Sequence, residues 1–149
     1  MTQMGWRRYR EGDYSLAFEY YTKSAELGDV RAHYQLAGMY YEGEGVEKDE
    51  KKALYHWEEA AIGGHPFARH VLAIIEMNNG RPERAVKHFI IAANLGYDRP
   101  MKELWKCYSE GYIGKDELTV TLRTHQAAIN ATKSPQREAA EEAKRRVVV

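Results

Sequence analysis

No stretch of the 149 residues approaches the ~20 consecutive apolar residues of a membrane-spanning helix. The first ten residues carry Arg7, Arg8 and Arg10 with no apolar run behind them, so no export signal is visible. The chain is therefore expected to be soluble, with the cytoplasm favoured. Cys107 is the only cysteine, which excludes an intrachain disulfide framework and a multi-thiolate zinc site. Its expected role is that of a buried small hydrophobe. Charge of one sign is missing too. Lys and Arg together number 22, as do Asp and Glu, so no global field draws the chain onto phosphate backbones or anionic lipid. Any electrostatic recognition must be local.

Proline is scarce at four residues, whereas tyrosine and glycine number 11 and 12 and recur in register. The segments SAELGD (24–29), AAIGGH (60–65) and AANLGY (92–97) superpose, which puts Gly28, Gly64 and Gly96 at one position with spacings of 36 and 32. The same offsets align Leu36, Leu72 and Leu104, then Ala17, Ala53 and Ala85, then the aromatic residues Tyr21, Trp57 and Phe89. A period of this length with helical signals throughout is what a two-helix repeat produces, because each unit must stack on its neighbours to bury its apolar face.

Within one unit, Ala32, Leu36, Ala37 and Tyr40 form an apolar stripe and predict a first helix over about 29–41, with the second over about 49–62. Asp13, Asp29 and Asp49 are suited to N-capping, since a short carboxylate accepts from the open N–H groups of a first helical turn. His65-Pro66 and Arg81-Pro82 place proline at the first helical position, where a missing donor costs nothing. Gly64 and Gly96 follow the last periodic residues and can close helices in the left-handed conformation. The pairs Ala60-Ala61 and Ala92-Ala93 permit close helix approach, and Trp57 fills the gap beside the first of them.

Gly43 and Gly45 sit at the elbow between the two helices. Glycines before a helix can cradle a phosphate, but the known fingerprints need a preceding strand and a longer glycine pattern. The equivalent elbow at 78–82, NNGRP, lacks the second glycine, as suits a connector. With these residues in place, the segment AHYQLAGMYYEGEGVEKDEKKALYHWEEAAIGGH (32–65) resembles a Sel1-like repeat, a relative of the tetratricopeptide repeat. It departs from that pattern at Ala37, where glycine is usual, and the next unit departs further, with Glu76 at the tyrosine position.

The resemblance implies an all-α fold, a right-handed α-solenoid of antiparallel helix pairs. The array is expected over 1–132, as a partial unit 1–29, units 30–65 and 66–97, and a degenerate capping unit 98–132. In the partial unit, Met4 falls where Leu36 and Leu72 sit. SPQREAAEEAKRR (134–146) opens with Ser134 as a cap and Pro135 behind it, and reads as an exposed C-terminal helix or tail over 133–149.

Chemistry-bearing constellations are absent from this pattern. His65 and His70 are five apart, not at the i, i+4 spacing of a zinc helix, and His56 and His88 share one repeat position that reads as a partly packed row on the second helices. No hydrolase-type serine elbow and no cysteine with an identifiable base partner is found. Asn130-Ala131-Thr132 fits the N-glycosylation pattern, a match that arises often by chance. No enzyme, cofactor or metal site is expected.

A second stripe on the first helices is not required by the core. It comprises Arg31, Tyr34, Gly38 and Tyr41, then Phe67, His70, Ile74 and Met77, then Arg99, Lys102, Lys106 and Ser109, with Trp6, Tyr9 and Arg10 in the partial unit. The resemblance to tetratricopeptide arrays implies that it lines a concave groove, aromatic at one end and basic at the other. Packing against the adjacent unit would use the same residues. The expected function is a non-enzymatic scaffold or adaptor that binds a protein or peptide segment through Arg31, Tyr34, Tyr41, Phe67, His70, Met77, Arg99, Lys102 and Lys106, a composition that suits a partner with an acidic segment. The alternative is RNA binding through the arginines and the Arg99-Lys102-Lys106 row. Zero net charge opposes it, and no nucleic acid and no membrane insertion are expected.

Overall fold

The computed structural model describes residues 1–147, and among them every regular element is helical. The helices are α1 (Thr2–Arg10), α2 (Tyr14–Glu26), α3 (Val30–Glu42), α4 (Glu50–Ile62), α5 (Pro66–Asn78), α6 (Pro82–Asn94), α7 (Arg99–Ser109) and α8 (Lys115–Val147). They pair in chain order, each packing on the helix that follows it, and α8 reaches back onto α6 as well. This is an α-solenoid, and its core is correspondingly segmented. One cluster gathers Tyr21, Leu36 and Met39, the next Trp57 and Leu72, the third Phe89, Leu104 and Cys107.

The boundaries follow local chemistry. The carboxylates of Asp13, Asp29 and Asp49 accept from the first-turn N–H groups of α2, α3 and α4. Pro66 and Pro82 open α5 and α6 as expected. Gly28, Gly64 and Gly96 lie at φ of +85°, +93° and +88°, the left-handed conformation that ends a helix. The elbow is a packed bend: Gly45 sits at φ +73° so close to α2 that a Cβ there would lie 2.4 Å from the carbonyl oxygen of Tyr14.

The small residues do what close packing requires. Ala37, Ala53, Ala60 and Ala61 are buried around Trp57, which retains only 7% of its surface. In the first hairpin, Gly5 occupies the position of Ala37 and Ala73, and a Cβ there would meet the ring of Tyr21 at 2.9 Å. Cys107 is buried, with its thiol pKa raised by burial and then by Glu110 and Glu103.

Two placements differ from expectation and a third adds to it. Met4 is exposed, because no described helix precedes α1 to cover it. His56 and His88 are half-buried on α4 and α6, but each also has a side-chain partner on the first helix of its own hairpin, His33 for His56 and Arg69 for His88. Finally, α8 runs unbroken through positions 134 and 135 rather than restarting there. Pro135 removes one backbone donor, and it does so in an exposed stretch of helix, where the freed carbonyl need not be buried unpaired. The helix is anchored at its N-terminal half by buried Leu118, Thr121 and His125. Residues 148–149 of the expected C-terminal segment lie outside the described residues.

Candidate functional site

Along the first helices, α3, α5 and α7, aromatic side chains meet across the gaps between hairpins. Tyr34 on α3 stacks on the ring of His65, with centroids 4.4 Å apart and planes within 12°. Phe67, on the first turn of α5, lies 6.2 Å from Tyr34 and 4.6 Å from Tyr97. His70, one turn further along α5, faces Tyr97 edge-on at 5.7 Å. Tyr34, His65, Phe67, Tyr97 and His70 thus make one continuous ladder, half-buried except for Phe67, which is 44% exposed.

Local chemistry holds each rung. His65 is the N-cap of α5, and its Nδ1 accepts from the Ala68 N–H at 3.3 Å, which orients the ring under Tyr34. Tyr97 follows the left-handed Gly96 and so projects from the turn between α6 and α7. Burial, then Tyr97, raises the Tyr34 pKa, and the nearby Arg99 charge opposes this. Burial lowers the pKa of His70, Glu103 opposes it and Arg99 adds to it. Burial alone lowers that of His65. These shifts favour the neutral forms of Tyr34, His65 and His70, with the Arg99 cation at their border. The Nδ1 of His70 is buried without a hydrogen-bond partner.

Of the residues singled out in the sequence, Tyr34, Phe67, His70 and Arg99 come together here. Arg31 is exposed at the start of α3, and Lys102 and Lys106 are exposed along α7. Tyr41 lies at the other end of α3, against Trp57 at 5.4 Å and beneath the Lys48 ammonium at 5.6 Å, in a cleft of about 330 Å³ that includes Ile75 and Asn79. Met77 and Ile74 instead pack on the core around Phe89 and Leu104, the role expected if the stripe serves the adjacent unit. His65 and Tyr97 were not read as groove residues. The spacing of 32 that carries Gly64 onto Gly96 also carries His65 onto Tyr97, and that was the available signal.

A smaller recess of about 220 Å³ opens beside the ladder where Gly38 leaves the wall open, lined by Tyr9, Tyr34, Trp57, Glu42 and Glu44. The Tyr9 hydroxyl donates to the carboxylate of Glu44 at 2.9 Å, and burial followed by that bond raises its pKa to about 12. Among the described residues, no group of three or more His, Cys, Asp or Glu side chains is placed to hold a metal ion. No described helix is long and apolar enough to cross a membrane.

The helical hairpins, their glycine corners and the aligned aromatic positions match the Sel1 repeat over residues 1–29, 30–65 and 79–97, more than half of the chain. The chain belongs to the Sel1 repeat family. Proteins of Sel1 repeats are in general non-catalytic scaffolds for protein interaction. A Sel1 repeat protein from Oxalobacter formigenes superposes with a TM-score of 0.71 at 20% identity, over 86% of this chain and 56% of that one. A protective antigen of uropathogenic Escherichia coli with an SLR fold superposes with a TM-score of 0.67 at 23% identity, over 85% of this chain and 30% of that one. These likenesses concern the fold. Chitin synthase regulatory factor 4 of Schizosaccharomyces pombe is 28% identical over 86 residues, 57% of this chain and 14% of that protein. The chain thus spans a small part of that relative and about half or less of the two solved structures.

Proposed function

We propose that this Sel1 repeat array is a non-enzymatic scaffold that holds an extended or helical peptide segment of a partner protein along the wall of α3, α5 and α7. The observation that carries the reading is the continuous ladder from Tyr34 through His65, Phe67 and Tyr97 to His70. Rigid aromatic rings in a row offer apolar area at little entropic cost, which is the composition of interaction hot spots. Arg99 at the edge of the ladder, with Lys102 and Lys106 beyond it on α7, would favour an acidic flank in the bound segment. Arg31 and Tyr41 would extend the contact along α3, whereas Met77 belongs to the core. The regulatory factor in Schizosaccharomyces pombe is, by its name, a protein that acts on another, which supports a role of this kind.

The test is capture of partners from native lysate by the immobilised chain, beside Tyr34→Ala/Phe67→Ala and Lys102→Glu/Lys106→Glu variants. Loss of the same bands from both variants, with helicity unchanged, is the expected result. Capture unaltered by the Tyr34/Phe67 variant would remove the ladder from the binding surface.

A further inference from the structure

Away from the ladder, at the α1 end of the array, α1, α2 and α3 line an open cavity of about 810 Å³. Its wall includes Trp6, Arg7 and Arg10 from α1, Arg31 and Gln35 from α3, and Tyr21 from α2. The charge here is unbalanced. Glu11 on the rim is engaged by Arg8 at 3.1 Å, and Arg31 has only Asp29 at 3.9 Å, a carboxylate already accepting from Thr2 and from two backbone N–H groups. Arg7 and Arg10 make no ion pair among the described residues, and the Arg10 guanidinium lies 4.7 Å from the centroid of the Trp6 ring, which is 52% exposed.

A second observation is independent of these charges. Tyr21 is 0% exposed, and its hydroxyl is buried without any hydrogen-bond partner, although the residue lines the cavity. The equivalent positions carry Trp57 and Phe89, so packing alone is met without a hydroxyl there. A buried polar atom in a native fold ordinarily has a partner.

We propose that this cavity binds an acidic side chain of a peptide, its carboxylate held among the guanidinium groups of Arg7, Arg10 and Arg31, and that α1 shifts on binding to uncover the Tyr21 hydroxyl as a further donor to it. The inference rests on the scaffold reading and adds to it a distinct anchor and its chemistry. Planar guanidinium forks match a carboxylate bidentately, and Trp6 offers an apolar face to the adjoining residue. A phosphate backbone fits less well. It needs a continuous basic track, and here the track stops at Glu42 and Glu44, which line the neighbouring recess.

The experiment is binding of the full chain to an array of randomised nonapeptides with one position fixed as Glu, Gln, Lys or Leu. Pools fixed as Glu should retain the protein at least about threefold over those fixed as Gln, as charge-assisted recognition requires. Arg7→Gln/Arg10→Gln should erase that preference with circular dichroism unchanged. Tyr21→Phe should weaken it without lowering the melting midpoint, whereas a hydroxyl of merely structural role would leave the preference intact. Equal retention of Glu and Gln pools, or a preference that survives the Arg7/Arg10 variant, overturns the proposal. So does oligouridylate that outcompetes the Glu pools and depends on the same arginines. If the Tyr34/Phe67 variant still abolishes partner capture, such a result removes this cavity alone and leaves the ladder standing.

Discussion

The Nδ1 atoms of His33 on α3 and His56 on α4 lie 2.9 Å apart, so one ring donates and the other accepts, and a proton on both would break the bond. His56 also stacks on Tyr40, with planes within 6°. Burial, then His33, then Lys52 depress its pKa from 6.5 to about 4. Below pH 6.5 the unfolded chain takes up a proton that the native chain refuses, so stability falls as pH falls from 6.5 towards 4. His65, His70 and His88 are lowered as well, burial being the first cause of each, and they act in the same direction. The melting midpoint should drop steadily over that window, and His56→Gln should flatten the drop. Parallel pH profiles for parent and variant would contradict this account.

Trp57 joins the alanines of α4 to α3 and α5 and lies in the central core cluster. Trp57→Ala should destabilise the fold by about 3–5 kcal/mol, as aromatic truncations in cores do. Chemical denaturation measures this directly, and an unchanged midpoint would mean that the alanine pairs alone hold the hairpins together.

Gly45→Ala should destabilise by more than about 1 kcal/mol, since it combines a left-handed residue with a backbone clash. The added methyl would meet the carbonyl of Tyr14, which cannot move without disturbing the start of α2. Gly12→Ala supplies the control: it shares a positive φ of 82°, but a Cβ there meets nothing within 4 Å. A smaller loss for Gly12 than for Gly45 in thermal melts is the expected order.

His125 on α8 is buried and bridges two groups, with Nδ1 2.9 Å from the Ala93 carbonyl oxygen and Nε2 2.9 Å from the Asp98 carboxylate. It ties α8 to the turn that carries Tyr97. His125→Ala removes both of these hydrogen bonds from the interface, while the Ala93 carbonyl keeps the Gly96 N–H at 2.9 Å, and the loss of the two should cost about 1–3 kcal/mol. Hydrogen exchange should accelerate in residues 93–98 and in α8, but not in α3. Uniform acceleration along the array would show instead that the contact is shared by the whole fold.

The helical hairpins were legible because their signals are local. A carboxylate at Asp13, Asp29 or Asp49, a proline at 66 or 82 and a glycine at 64 or 96 each act on a turn within reach of their own backbone. The ladder was half legible. Tyr34, Phe67 and His70 lie on the stripe that helical spacing selects, whereas His65 and Tyr97 stand in corners and reach the same wall only when hairpins stack.

Trp105 marks the limit of such reasoning. It aligns with the buried Ala37 and Ala73, yet it is 52% exposed, since α8 packs chiefly on α6 and leaves that face of α7 uncovered. Periodicity states which residues can share a face, and by itself it determined the hairpins, their corners and the core positions Leu36, Leu72 and Leu104. Which side chains meet across the gaps, and which residues of α1, α2 and α3 share one cavity, was decided by tertiary stacking. Those contacts join residues far apart in the chain, and their distances follow from the angle between rigid helices, which no short-range signal encodes.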